Sequence, residues 1–118
     1  MMNKQNTPIR LDGFLGNMPR VTLTRNNRKV VRATLATNEK RKLASGNKAV
    51  VTHWHQLVFW GAQAEFAEQH LKKGVQLRIR GTLVERCFVD KQGKKKKVME
   101  VQVASLLTAD MNQTSLFD

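Results

Sequence analysis

Apolar residues fall on odd-numbered positions in every extended stretch of this chain, and that shared register constrains the fold most. Side chains of a strand alternate between faces, so a two-residue apolar period marks a strand with one buried side. The first stretch carries Ile9, Leu11 and Leu15, breaks at Gly16-Asn17-Met18-Pro19, and resumes with Val21 and Leu23. The second carries Val31, Ala33 and Leu35, and the third Leu57 and Phe59. Val75, Leu77, Ile79 and Leu83 form the fourth, and Met99, Val101 and Val103 the fifth. Five half-buried strands predict a small closed β-structure.

One helix interrupts the strands. Ala62 to Leu71 clusters Phe66, Ala67, His70 and Leu71 on one face, with Gln63, Glu65, Glu68 and Gln69 elsewhere. The order is three strands, a helix, then two strands, which is the order of an OB-fold. The expected class is therefore all-β: a five-stranded OB-fold barrel, one helix between strands three and four, and long basic hairpins at 38–47 and 87–97. With 118 residues the chain suits one domain, assigned to 1–108, and 109–118 reads as a short tail.

Two features of this scaffold point to a polyanion. Lys and Arg number 21 against 9 acids, a formal charge of +12, which creates a field that attracts nucleic acid. The third strand, Val50 to Gly61, puts Thr52, Trp54, Gln56, Val58 and Trp60 on the face opposite Leu57 and Phe59. Two indoles spaced along a half-polar strand suit base stacking without sequence readout. Core packing is the competing use of a tryptophan, but the core here is on the other face. The fourth strand repeats Arg78, Arg80 and Arg86 on its outer face, suited to tracking phosphates. Lys40, Arg41 and Lys42 in one hairpin, with Lys94, Lys95, Lys96 and Lys97 in the other, read as an electrostatic funnel.

Other chemistries lack their residues. No helix pairs a broad basic face with Trp, Phe and Leu opposite, so no membrane partner is expected. The start, MMNKQNTPIR, has no apolar run, and a lone Cys87 forms no intrachain disulfide, so a cytoplasmic protein is expected. His53 and His55 share a strand face without acidic or Cys partners in sequence, so no metal is expected, and no cofactor either. The acids are scattered, and no nucleophile motif or phosphate loop occurs. The reading is not an enzyme.

The chain resembles the bacterial single-stranded DNA-binding protein family. The likeness rests on Leu35-Ala36-Thr37-Asn38-Glu39, on Thr52 through Gly61, on Ala64-Glu65-Phe66-Ala67, on Leu71-Lys72-Lys73-Gly74, and on Ile79-Arg80-Gly81-Thr82-Leu83. It covers roughly residues 9 to 107. The resemblance implies single-stranded DNA as partner, in replication, recombination and repair, nucleoid-associated, with stacking on Trp54, Trp60 and Phe88. Arg41 stands where the family commonly has a further aromatic. The resemblance also implies a homotetramer, with His55 near the joining surface; a dimer is the alternative. Family members continue into a long tail with an acidic tip that recruits repair and replication proteins. Here Leu116-Phe117-Asp118 and Asp110 are its only echo, so those partners stay open. Two rivals share these features: a replication-restart or plasmid-type OB paralogue acting as an assembly factor, and an RNA-binding OB protein.

Overall fold

A computed structural model describes residues 7–108. It contains β1 (Thr7–Leu15), β2 (Arg20–Leu23), β3 (Lys29–Lys42), β4 (Lys48–Trp60), α1 (Gly61–His70), β5 (Gln76–Val89) and β6 (Lys95–Thr108). β1 and β2 are the two halves of the broken first strand, and both lie along β3. Counted so, five strands close a barrel. β1 pairs antiparallel with β5, β5 with β6, and β4 with β3, which returns to β1 at Phe14 and Leu15. β6 meets β4 in parallel through three pairs, Gln56 with Glu100, Leu57 with Val101 and Val58 with Gln102.

The odd register fills the core. Leu15, Val31, Leu35, Leu57, Phe59, Leu77, Ile79 and Val101 are all buried, each contributing about 1.5–3 kcal/mol for a fully buried large side chain. α1 plugs the barrel with Ala64, Ala67 and, just past its end, Leu71. The helix runs one residue earlier than expected at both ends, and His70 is exposed rather than packed inward. Its ring instead stacks obliquely on Phe66 at 4.6 Å. Lys29 of β3 clips the helix to the sheet through Glu65 and Glu68, which raise its pKa, Glu68 most.

Three expectations of the register fail. Val21 and Leu23 are exposed, Leu23 at 62%, because β2 is a short edge strand paired with β3 alone. Met99 is exposed where β6 pairs with β5 beyond the barrel's apolar filling. In β6 the apolar positions switch parity after Val103: Leu106 and Thr108 are buried. The cause is a bulge opposite Arg80 and Gly81, where Arg80 pairs with Ser105 and Gly81 with Val103, leaving Ala104 unopposed. A Cβ on Gly81 would lie 2.2 Å from the Gln102 carbonyl oxygen, so only glycine admits this approach. Gln63 of α1 donates its amide to the Ala104 carbonyl at 2.7 Å, satisfying the group the bulge leaves over.

The two basic hairpins are β-ribbons for most of their length. β3 and β4 stay paired out to Lys42 and Lys48, and β5 and β6 out to Val89 and Lys95. Backbone pairing thus continues past the point where the barrel supplies a core. The loops shrink to turns at 43–47 and 90–94, the latter held by Asp90, whose Oδ1 accepts from the amides of Gln92 and Lys94 at 2.9 Å each.

Candidate nucleic-acid interface

The outer wall of β4 carries the indoles. Trp54 is 61% exposed, and its ring lies across Gly16 in the break between β1 and β2. A Cβ there would come within 2.4 Å of the Trp54 Cζ3, so Gly16 is a seat for the ring. Asn17 fixes the break by accepting the Thr34 amide on Oδ1 at 3.0 Å. Across β3, Ala36 separates Trp54 from Phe14, an even-numbered residue of β1 that also faces outward and is exposed. Trp60 is half-buried, with the Arg28 guanidinium over its ring at 4.8 Å.

Between the indoles the wall is firmer than the sequence suggests. Val58 and Val30 sit on the outer face and yet are buried, with Arg32 and Trp60 as their cross-strand partners. Glu100 of β6 is 6% exposed, and its Oε2 accepts from Arg86 Nε at 3.0 Å and lies 3.9 Å from Arg32 Nε. The carboxylate thus bonds β5 to β6 and attracts Arg32 of β3 from across β4, where the Arg32 Nε is buried without a hydrogen bond among the described residues. Arg86 in turn lies over Phe88 at 4.9 Å. Phe88 is 37% exposed near the tip of the β5–β6 ribbon, where it pairs with Lys96, beside an open groove of about 640 Å³ lined by Cys87, Val89 and Lys95 to Lys97.

The expected contact residues divide into groups. Arg86 joins the tryptophan side of the wall through Glu100. Arg78 and Arg80 lie over the β1–β5 part of the wall, where Arg78 donates to Asp12 at 2.7 Å and Arg80 faces Arg10. Arg41 is held by Glu39 at 3.1 Å on the β3–β4 ribbon, between Lys40 and Lys42. In the other ribbon Lys96 and Lys97 lie 3.9 Å from Asp90 and 3.4 Å from Glu85, while Lys94 and Lys95 flank the turn. His55 is half-buried, with Nε2 at 2.9 Å from the Thr37 hydroxyl; burial, and secondly His53, push its pKa down. His53 bonds Glu39 at 2.9 Å and, with Arg41, holds that carboxyl below the usual range. Among the described residues no three His, Cys, Asp or Glu gather as a metal site. The tail residues Asp110, Leu116, Phe117 and Asp118 lie outside the described residues.

Residue-by-residue reading missed Arg28, Arg32, Phe14, Gly16 and Glu100. Parity held the signal for two of them: Arg32 shares the even face with the indoles, and Phe14 breaks the odd register of its strand. Glu100 has no such signal, because its setting depends on Arg86 across the β5–β6 hairpin and on Arg32, far away in sequence.

Known proteins resemble this chain in sequence and in fold. The profile of the Single-strand binding protein family matches residues 7–109. The chain is 44% identical over 94 residues to single-stranded DNA-binding protein 1 of Chlorobaculum tepidum, covering 79% of this chain and 58% of that protein. It is 33% identical over 99 residues to single-stranded DNA-binding protein 1 of Xylella fastidiosa, covering 83% and 73%. The chain thus spans little more than half the length of the first of these relatives. A solved Plasmodium falciparum SSB in complex with single-stranded DNA superposes with a TM-score of 0.81 at 25% identity, covering 93% of this chain and all of that one. A family match over residues 7–109, with these relatives and this OB barrel beside it, places the chain in the single-strand binding protein family.

Proposed function

We propose that this protein binds single-stranded DNA without sequence preference, by stacking bases on Trp54, Trp60 and Phe88. The observation that carries this reading is the Trp54 indole, an apolar ring 61% exposed on the outer wall and seated on a glycine. A ring placed for packing would turn inward. Every base has a π-face, so such platforms bind without reading sequence, at about 1–3 kcal/mol per stacked base. Arg86 and Arg32 beside them, and the Lys40–Lys42 and Lys94–Lys97 ribbons around them, supply cations for the phosphates. Arg78 and Arg80 extend the basic surface around the barrel. In this reading the protein coats exposed single strands during replication, recombination and repair, as an assembly of several copies, and does no chemistry on them.

Titration with poly-dT, followed by tryptophan fluorescence at several salt concentrations, tests the proposal. Strong quenching is expected, with log affinity falling linearly in log salt at about −0.7 per phosphate contacted. Saturating poly-dT that leaves the emission unchanged overturns the stacking role of the indoles. A matched RNA oligonucleotide that binds more tightly overturns the choice of DNA.

A further inference from the structure

Trp60 differs from Trp54 in what already lies on it. Its cross-strand partner Val30 and its neighbour Val58, two residues along β4, are buried in the outer wall. On its outer side sits the guanidinium of Arg28, 4.8 Å from the ring centroid. A guanidinium is flat, weakly hydrated and stacks on aromatic faces, so it fills the position that a base would take.

The backbone delivers Arg28 to this place and holds it there. In the turn between β2 and β3 the Thr24 amide donates to the Arg28 carbonyl at 2.8 Å. The Arg28 amide returns a bond to the Thr24 hydroxyl at 3.1 Å. Asn27, just before it, takes a left-handed φ of 61°, a conformation that asparagine tolerates. The side chain is not held in this way: among the described residues its guanidinium meets no carboxylate and lies on the indole. Arg86 shows the contrast. It too covers a ring, Phe88 at 4.9 Å, but its Nε is bonded to Glu100. Arg86 is a fixed support, and Arg28 is a cation that can leave.

We propose that Arg28 is a displaceable cap on Trp60. A base takes its place on the indole, and the released guanidinium moves to the phosphate beside that base. The proposal rests on the stacking reading above and divides the platform in two. Trp54 is open at first encounter, and Trp60 opens by exchange. The exchange gives up a cation–π contact and gains a phosphate contact, so its two halves respond differently to salt.

The test uses the full chain in a Trp54→Phe background, where Trp60 is the sole indole, and compares Arg28 with Arg28→Ala. In the free protein, acrylamide should quench Trp60 more strongly once the cap is gone. With poly-dT, Arg28→Ala should flatten the salt slope by about 0.7, the value of one phosphate contact. At high salt the variant should bind about two- to fivefold more tightly, the factor an exposed cation–π contact represents. At low salt it should bind more weakly, so the two lines cross. Arg28→Lys keeps the charge without the flat fork and should keep the wild-type slope. Quenching by poly-dT with parallel salt lines and equal acrylamide access overturns the cap. No quenching of Trp60 by poly-dT in either protein removes the stacking reading at this ring, and the exchange with it.

Discussion

Gly16 carries more of the interface than its lack of a side chain suggests. The Trp54 ring occupies the space a Cβ would need, so Gly16→Ala must lift the indole or bend the β1–β2 break. Overpacking of this kind costs about 1–3 kcal/mol. We expect a lower denaturation midpoint together with weaker quenching by poly-dT, whereas an unchanged titration would mean the ring needs no seat. His55 gives a second prediction at this scale. Its folded pKa is pushed below the ordinary 6.5, so between 6.5 and that lower value the unfolded chain holds more protons than the folded one. Its contribution to stability is complete above pH 6.5 and declines as pH falls through that window. Melting temperatures measured from pH 7.5 down to about 5 should show the decline, and His55→Gln should flatten that part of the curve.

At the scale of elements, the bulge in β6 decides which residues of its last turn of chain reach the core. Deleting Ala104 would restore an unbroken alternation in which Ser105 follows Val103 and points outward, and Leu106 and Thr108 still face Ile79 and Leu77 in the core. We expect the cooperative denaturant transition to survive the deletion, read by circular dichroism. Gln63→Ala probes the same bulge from the helix: it leaves the Ala104 carbonyl to water and should cost about 0.5–1.5 kcal/mol, the net worth of one hydrogen bond. The same element shows how far sequence reading extends. Strand number, order, core face and the helix were legible because burial on one face imposes a period on the residues. The inward turn of Leu106 was not, because a bulge needs only one extra residue and Ala104 bears no mark. The ribbons were read as hairpins, but how far their strands stay paired was not legible for a related reason: lysines and glycines on a paired but coreless strand leave no apolar period. In the interface, the indoles were legible by parity, whereas the Glu100 bridge depends on strands β3, β5 and β6 meeting in space.

For the whole molecule, a single copy leaves large apolar side chains on its surface, among them Phe14, Val21, Leu23, Val50 and Met99. We expect these surfaces to be shared between copies, and light scattering to give the mass of four 13.5 kDa chains. A mass of one chain would contradict that assembly. The barrel itself closes through only three parallel pairs between β4 and β6, at Gln56, Leu57 and Val58. Those three residues lie between Trp54 and Trp60 on the same strand. Closure is thus thin directly under the span between the two rings, as it is at the two pairs that join β1 to β3, and local opening of the fold should begin at these seams. A nucleotide strand resting on both indoles would act as a suture over that gap. Amide hydrogens of residues 56–58 and 100–102 should then exchange more slowly in the complex, making the ligand a stabiliser of the barrel that carries it.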